Sequence, residues 1–384
     1  MATDDGQYGP AGFRVYTLDA GIAHDGRHDL AVAVSDGPCT SSSMFTRSRF
    51  AGASVELSRP VTEAQGVVVA SRNANVATGP AGAADAAELR ALAGRAVGVA
   101  PEQLLLASTG VIGRPYPMDA IRDRLRGEWP ATGDWSDFAT AIMTTDTTSK
   151  LVRAQVGNAS IVGVAKGVGM IEPNMATLLT FFFTDAEIGS GELDAIFREV
   201  VETSFNALSI DTDTSTSDTA AVLANGLAGP VELAELGRAL HAVALELVTL
   251  IARDGEGASK LLKVRVGGAR DRAQAKRVGK SVVNSPLVKT MAHGADPNWG
   301  RVVMAVGKCE DDLDIQQDRV SVAIGGMAMY PEIPSESQLE SLRAELAGDT
   351  VEISIELGIG QEEFTVYGCD LSAGYVHINS SYTS

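Results

Sequence analysis

Cysteine and histidine are scarce in this chain. Its 384 residues include three cysteines, Cys39, Cys309 and Cys369, and five histidines. An odd number of cysteines without metal-like spacing argues against a disulfide framework and predicts reduced thiols in a cytoplasmic protein. The histidines include no H-E-x-x-H pair, so we expect no metal site.

The chain also lacks long apolar runs, and its acidic residues outnumber its basic ones. No apolar run approaches the roughly 18 residues of a transmembrane helix. The N-terminal M-A-T-D-D-G-Q-Y-G-P lacks the basic region and apolar core of a signal peptide. The formal net charge is −18, from 31 Lys and Arg against 49 Asp and Glu, which disfavours binding to nucleic acid and anionic membranes. We therefore expect small molecules as partners, with no nucleic acid and no membrane.

A glycine- and proline-containing stretch precedes a short apolar run near the middle of the chain. Residues 166–186 read K-G-V-G-M-I-E-P-N-M-A-T-L-L-T-F-F-F-T-D-A. Gly167, Gly169 and Pro173 predict a tight, irregular turn, and residues 178–183 predict a buried strand. Thr177 is therefore expected where a constrained loop enters a core strand.

A threonine in this position becomes a competent nucleophile if the chain is cut just before it. Its hydroxyl is a weak nucleophile without an adjacent base. If the Thr177 oxygen attacked the Ala176 carbonyl, the peptide would shift to an ester, and water would release Thr177 as a new N-terminus. The freed α-amine, with a pKa of about 8, suits a general base. On composition alone an ordinary turn is the simpler interpretation, because threonine is common in strands.

The stretch resembles the self-cleavage signature of the ornithine acetyltransferase family, also called glutamate N-acetyltransferases. The shared pattern is K-G-x-G-M-I-x-P-N-M-A-T-L-L…T-D-A, and R-N-A-N-V-A-T-G, T-T-D-T and H-G-A-D-P-N-W-G-R match along the rest of the chain. The resemblance implies an α/β fold, a layered α-β-β-α sandwich similar to the N-terminal-nucleophile hydrolases. It also implies a cut between Ala176 and Thr177. The resulting alpha fragment, 1–176, and beta fragment, 177–384, would stay together, commonly as an α2β2 assembly.

The same resemblance implies a reaction and a set of site residues. Thr177 would take acetyl from N2-acetylornithine as an acyl-enzyme and pass it to glutamate in a ping-pong cycle without a cofactor. Thr109 and Gly110, in an S-T-G turn after an apolar run, would form the oxyanion hole. The implied substrate-binding residues are Thr144, Lys166, Thr177, Glu256, Asn379 and Ser384.

The residues themselves allow simpler interpretations at these positions. Thr144 opens the T-T-D-T cluster, which suits a turn. Lys166 ends a predicted hairpin, where a surface lysine is common, and Glu256 lies between two glycines after a helix expected at 232–252. Chemically, an ammonium group suits an oxyanion or a substrate carboxylate, and a carboxylate suits a substrate ammonium group.

The segment 209–219, S-I-D-T-D-T-S-T-S-D-T, is dense in carboxylates and hydroxyls. It is similar in composition to a calcium loop but lacks the central glycine and terminal glutamate of an EF-hand. We interpret it as a polar network that supports the site. His293 is expected to support the site as well, and not to act as its base.

Two other functions stay open. Aminopeptidases and amidases with a cleaved threonine pass the acyl group to water, and an uncut chain would be a binding or scaffold protein. The residues also leave open whether acetyl-CoA is a second donor, and whether the transfer serves arginine synthesis or a specialised-metabolite pathway.

The last third of the chain is expected to alternate strands and helices. The apolar runs predict strands at 302–307, 319–324, 351–356 and 364–367, with a helix near 337–346. One helix is expected to run from Asp271 through Thr290, and the residues from Tyr375 onward are expected to form a loose tail.

Overall fold

The computed structural model describes residues 9–23, 25–126, 129, 133–172 and 178–380. The strands formed by these residues are β1 (Phe13–Leu18), β2 (Leu30–Ser35), β3 (Thr40–Phe45), β4 (Gly66–Ala70), β5 (Leu104–Ser108), β6 (Lys150–Val156), β7 (Ala159–Lys166), β8 (Leu179–Glu187), β9 (Thr219–Pro230), β10 (Leu261–Ala269), β11 (Ser321–Ile324), β12 (Met327–Tyr330), β13 (Thr350–Glu356) and β14 (Glu362–Cys369). The helices are α1 (Ala53–Ser58), α2 (Gly79–Val97), α3 (Met118–Arg124), α4 (Trp135–Ala141), α5 (Ser190–Thr203), α6 (Leu233–Arg253), α7 (Arg272–Val283), α8 (Pro286–His293), α9 (Gly300–Gly307), α10 (Glu336–Leu346) and α11 (Ala373–Asn379). None of these helices combines the length and apolar character needed to cross a bilayer.

The described chain divides into two compact units. The first unit consists of described residues within 1–167, 173–206 and 214–247, and the second of those within 168–172, 207–213 and 248–384. Each of the two predicted fragments, 1–176 and 177–384, therefore contributes residues to both units.

The first unit contains two β-sheets that pack face to face. One sheet has the strand order β1-β2-β4-β5 and the other β3-β9-β8-β7-β6. Their inner faces share one buried apolar cluster, in which Val67 and Leu105 of one sheet lie with Phe181 and Phe183 of the other. This is possible because alternate residues of a strand point to the same face.

Helices cover the outer faces of both sheets in this unit. On the first sheet, Val68 is buried in one cluster with Leu89 of α2 and Ile121 of α3. On the second sheet, the ring of Phe182 lies edge-on to that of Phe197 in α5, with centroids 5.6 Å apart. The layered α-β-β-α arrangement predicted from the sequence is confirmed in this unit.

The second unit is a mixed sheet with helices on one face. Its strand order is β12-β11-β13-β10-β14, with β10 parallel to β13 and antiparallel to β14. Val264 of β10 is buried with Val278 of α7 and Met291 of α8. The residues that alternate with the buried ones along these strands form cross-strand ion pairs, such as that between Lys263 Nζ and Glu352 Oε1, which lie 3.1 Å apart.

Three expectations of local structure are wrong. Residues 302–307 lie in α9, because a short apolar run does not distinguish a buried helix from a strand. The helix expected from 271 to 290 is two helices, since Pro286 opens α8 and proline is favoured in the first helical turn. The expected tail contains α11, whose first turn is capped by Ser372. The other expected strands, and the helices at 232–252 and 337–346, are confirmed within a few residues.

Candidate functional site

Two loops meet where the parallel strands β4 and β5 end. The R-N-A-N loop follows β4, and Thr109-Gly110 follows β5. Thr109 N–H donates to the Ala70 carbonyl at 3.0 Å, and Asn73 forms a parallel bridge with Val111. The carboxyl ends of parallel strands thus bring two of the sequence motifs to one edge of the sheet, a common position for binding loops.

Gly110 suits this place because it lacks a side chain. Its φ is +132°, and a Cβ built on it would lie 2.1 Å from the carbonyl carbon of Arg72. No real Cβ tolerates such an approach, and L side chains rarely adopt this φ. The loop after β4 therefore packs directly on the backbone of Gly110.

The contacts of Thr109 and Gly110 show which of their donors are available. The amide of Thr109 is engaged by Ala70, and its side chain is almost buried, with the residue 8% exposed. Among the described residues, no acceptor bonds to the Thr109 hydroxyl or to the Gly110 amide. Those two groups are therefore the donors that an oxyanion could use here.

A buried carboxylate organises the T-T-D-T turn. Asp146 accepts hydrogen bonds from Thr144 N–H at 3.0 Å, Gly167 N–H at 2.9 Å and the Lys150 ammonium at 2.8 Å. Burial acts to raise the pKa of the Asp146 carboxyl, but the ammonium groups of Lys166 and Lys150, with these hydrogen bonds, hold that pKa below its ordinary value. Asp146 is therefore ionised at neutral pH.

This turn brings two of the predicted substrate-binding residues together. Lys166 Nζ donates to Thr144 Oγ1 at 3.1 Å. Lys166 ends β7, and the antiparallel pairing of β6 with β7 begins beside it at Lys150↔Ala165. Sequence reasoning did not identify Asp146. Its spacing of four residues from Lys150 was the available signal, but that spacing is ordinary in exposed turns.

Two further predicted residues, Glu256 and Asn379, are paired in the second unit. Asn379 Nδ2 donates to Glu256 Oε2 at 2.8 Å. The Glu256 amide donates to the Val168 carbonyl at 2.9 Å, and a Cβ on Gly169 would lie 2.5 Å from Glu256 Oε2. The second glycine of K-G-V-G is thus explained by the close approach of this carboxylate.

His293 supports the loop that carries Glu256. Its Nδ1 lies 2.7 Å from Asp370 Oδ2, and Asp370 also accepts the amides of Ser259 and Lys260 at 2.8 and 2.9 Å. Burial acts to raise the pKa of the Asp370 carboxyl, but the hydrogen bonds from Ser259, His293 and Lys260 lower it below its ordinary value. The expected supporting role of His293 agrees with this arrangement.

The predicted nucleophile is not among these residues. Ala176, Thr177 and the predicted C-terminal ligand Ser384 lie outside the described residues. In the parts of the chain that are described, no cluster of His, Cys, Asp and Glu has a metal-binding arrangement.

The strands on either side of the predicted junction are neighbours in the second sheet of the first unit. β7 and β8 pair antiparallel as far as Lys166↔Leu179. The carbonyl of Leu178, which is buried, accepts the amide of Thr219 at 3.0 Å. The residue that follows Thr177 is therefore held at the start of a central strand, as the apolar run predicts.

Comparison with known proteins gives matches along nearly the whole chain. Residues 14–384 match the ArgJ family. The chain is 57% identical to the glutamate N-acetyltransferase Oat2 of Streptomyces clavuligerus, with 98% of each protein covered. It is 52% identical to the arginine biosynthesis bifunctional protein ArgJ of Rhodococcoides fascians, over 98% of this chain and 94% of the relative. Among solved structures, that of the ArgJ protein from Bacillus halodurans is 38% identical, with a TM-score of 0.48, and covers 52% of this chain and 96% of that one.

Proposed function

The chain belongs to the ArgJ family, and from this premise we propose that it is a self-processing acetyltransferase. It moves an acetyl group from N2-acetylornithine to glutamate, and its products are ornithine and N-acetylglutamate. The similarity to a glutamate N-acetyltransferase over nearly the full length of both proteins supports this assignment.

The first step in this proposal is a cut between Ala176 and Thr177. The Thr177 hydroxyl oxygen bonds to the Ala176 carbonyl carbon, the peptide C–N bond breaks, and the hydroxyl proton passes to the leaving nitrogen. Water then hydrolyses the ester, which leaves a carboxylate on Ala176 and a free amine on Thr177. The nucleophile and its general base then belong to one residue.

The two fragments remain together after this cut. β7 would belong to the alpha fragment and β8 to the beta fragment, and the two strands share a hydrogen-bonded ladder inside a five-stranded sheet. Separating them would expose the buried faces of both strands to water. We propose an α2β2 assembly, which native mass spectrometry of the purified protein would test.

The observation that carries the acyl-transfer chemistry is the pair of available donors at the end of β5. The Thr109 hydroxyl and the Gly110 amide can both bond to the oxyanion that forms when Thr177 attacks an acetyl carbonyl. Because the Gly110 backbone is packed against the loop after β4, its amide is held in position before the reaction. Such preorganised donors stabilise a transition state without reorganisation.

The charged residues suit an amino-acid substrate. Lys166, beside Thr144, offers an ammonium group to a substrate carboxylate. Glu256 offers a carboxylate to a substrate ammonium group, with Asn379 as its hydrogen-bonding partner. We propose that these residues, with Thr177 and Ser384, bind ornithine and glutamate.

The protein is proposed to act in the cytoplasm. Its three cysteines are all free, and reduced thiols are typical of that compartment. Burial raises the pKa of both the Cys39 and the Cys369 thiol to about 11, so neither is an activated nucleophile that would compete with Thr177.

Intact mass under denaturing conditions tests the proposed function directly. The purified protein is measured alone, with N2-acetylornithine and with acetyl-CoA. We expect fragments 1–176 and 177–384, with an added acetyl group on the second after incubation with N2-acetylornithine. An acetyl group gained from acetyl-CoA would establish a second donor. Two fragments without acetyl would move the assignment toward an aminopeptidase, and one unbroken chain would refute self-processing.

Replacing Thr109 with valine is expected to lower kcat about 10²- to 10³-fold, with little change in KM, because one oxyanion donor is lost. Valine has nearly the shape of threonine, and the Thr109 amide stays bonded to Ala70. Thr109→Ser, which keeps the hydroxyl, should retain most of the activity. If Thr109→Val is nearly as active as the wild type in acetyl-transfer assays, the hydroxyl is not a donor.

Replacing Glu256 with glutamine is expected to raise the KM for N2-acetylornithine about 10- to 100-fold, since hydrogen bonds to charged groups contribute about 1.5–3 kcal/mol. Glutamine retains an acceptor for Asn379, so self-cleavage should continue. Steady-state kinetics and the fragment pattern on a denaturing gel provide the two readouts. Failure of cleavage would make Glu256 a structural or maturation residue.

A further inference from the structure

One carboxylate holds the turn that precedes the predicted junction. Asp211 Oδ2 accepts the Met170 amide at 2.6 Å, and Oδ1 accepts the Ile171 amide at 2.8 Å. Both oxygens of the carboxylate are therefore used on two successive backbone amides, 41 and 40 residues earlier in the chain. Charge-assisted bonds of this kind are stronger than bonds between neutral groups.

Backbone hydrogen bonds continue the same attachment. Ile210 N–H donates to the Ile171 carbonyl at 2.8 Å, and Glu172 N–H donates to the Asp213 carbonyl at 2.9 Å. All of these residues belong to the second unit. Residues 170–172 are thus fixed along their whole length by the segment that begins at Ser209.

The turn needs such an attachment because its backbone is strained. Met170 has a φ of +55°, a left-handed conformation that non-glycine residues seldom adopt. Strained residues of this kind persist where the surrounding structure holds them, and they cluster at functional sites. The Asp211 carboxylate accepts the hydrogen bond that the Met170 amide donates.

The carboxylate is also connected, through Tyr375, to one of the proposed substrate-binding residues, Asn379. The Tyr375 hydroxyl lies 3.5 Å from Asp211 Oδ2, and the Tyr375 carbonyl accepts the Asn379 amide group at 3.1 Å. Burial, with the Asp211 and Glu256 carboxylates, raises the pKa of Tyr375 to about 12. The tyrosine therefore stays neutral and presents a hydroxyl, not a third negative charge, to Asp211.

We infer that Asp211 is a positioning residue for self-cleavage, because its carboxylate holds residues 170 and 171 only a few positions before the scissile Ala176–Thr177 bond. This inference rests on the proposed cleavage. Asp211 exchanges no proton in the step, in which the Thr177 Oγ–C bond forms and the Ala176 C–N bond breaks. Holding residues 170 and 171 in place would lower the conformational entropy that the cleavage step has to lose.

Cell-free translation of the full chain, chased over time and separated on a denaturing gel, measures the rate of cleavage. Asp211→Asn loses the charge and one of the two acceptors, and we expect at least about a tenfold slower appearance of the fragments. Asp211→Glu keeps both acceptors and should recover part of the rate. Asp213→Asn is the matched control, since Asp213 contributes its carbonyl to the turn, and it should cleave at the wild-type rate.

The outcomes separate this inference from the proposed function. If the wild type is not cut, the proposed function itself fails. If the wild type is cut and Asp211→Asn is cut equally fast, the inference is overturned. Should Asp211→Asn fold poorly, the variant with Met170→Gly added removes the backbone strain. A folded double variant that still cleaves slowly supports positioning, and one that cleaves at the wild-type rate shows that Asp211 only offsets strain.

Discussion

Replacing Thr177 with alanine is expected to leave a single uncut chain with no acetyl transfer. The hydroxyl is required twice in the proposed mechanism, first to attack the Ala176 carbonyl and then to carry the acetyl group. Without the cut, no α-amine is available as a base. Removing a catalytic nucleophile typically lowers kcat on the order of 10⁴- to 10⁶-fold, so the loss should exceed that of any other substitution considered for this protein.

Thr177→Ser is the matched control for this prediction. Serine keeps a hydroxyl and yields an N-terminal amine after cleavage, so this variant should still be cut and should still transfer acetyl, at a lower rate. Denaturing mass gives the extent of cleavage, and production of N-acetylglutamate gives the activity. Turnover by purified Thr177→Ala would refute Thr177 as the nucleophile. Cleavage of that variant at the same bond would refute the N-to-O shift.

The largest loss of stability is expected from Asp146→Asn. The Asp146–Lys150 pair has no exposed side-chain area on either partner, and removing one member of such a pair usually costs about 3–5 kcal/mol, because a buried charge loses its counter-charge. The amides of Thr144 and Gly167 lose a charged acceptor as well. The free energy of unfolding from denaturant titration checks the value. A loss below about 1 kcal/mol, the range of exposed pairs, would contradict it.

Asp123→Asn is the control for the same chemical change on the surface. Asp123 pairs with Arg126 at 3.2 Å, and both side chains are largely exposed, so we expect the free energy of unfolding to change by no more than about 1 kcal/mol.

The pH dependence of stability offers a second check on the prediction for Asp146→Asn. The pKa of Asp146 is lowered in the folded chain. Its contribution to the free energy of unfolding is therefore complete above the pKa of the unfolded chain, about 3.9, and is lost as the pH falls through the folded pKa. The difference between wild type and Asp146→Asn should therefore shrink under acid conditions.

The residues of the candidate site could be named from the sequence, because the motifs carry them. T-T-D-T begins with Thr144, K-G-V-G begins with Lys166, and D-G-E-G contains Glu256. The structure brings Lys166 to Thr144 and Asn379 to Glu256, which the resemblance implied without stating any contact. Strand positions were also predictable from short apolar runs, as for β8 and β13.

Local patterns failed where two structures share one pattern. The run V-V-M-A-V at 302–306 fits a buried strand and a short helix equally well, and packing in the second unit selected the helix. Pro286 falls in the middle of a continuous helical pattern, but a proline in the first turn begins a helix as readily as it breaks one. Burial decides the first case and depends on residues far away in the chain, whereas the second is decided locally, because Ser285 caps the helix that Pro286 opens.

The family, the order of the motifs and the position of the predicted Met-Ala-Thr junction can be read from the residues alone. Which groups hold the loops and turns of the candidate site depends on the fold. Asp146 bonds to an amide 21 residues later, Asp211 bonds to amides about 40 residues earlier, and the Thr109 amide is engaged by Ala70 while its hydroxyl is available. The physical reason is that a buried polar group must find a partner wherever the fold brings one within about 3 Å, and sequence spacing does not specify that meeting.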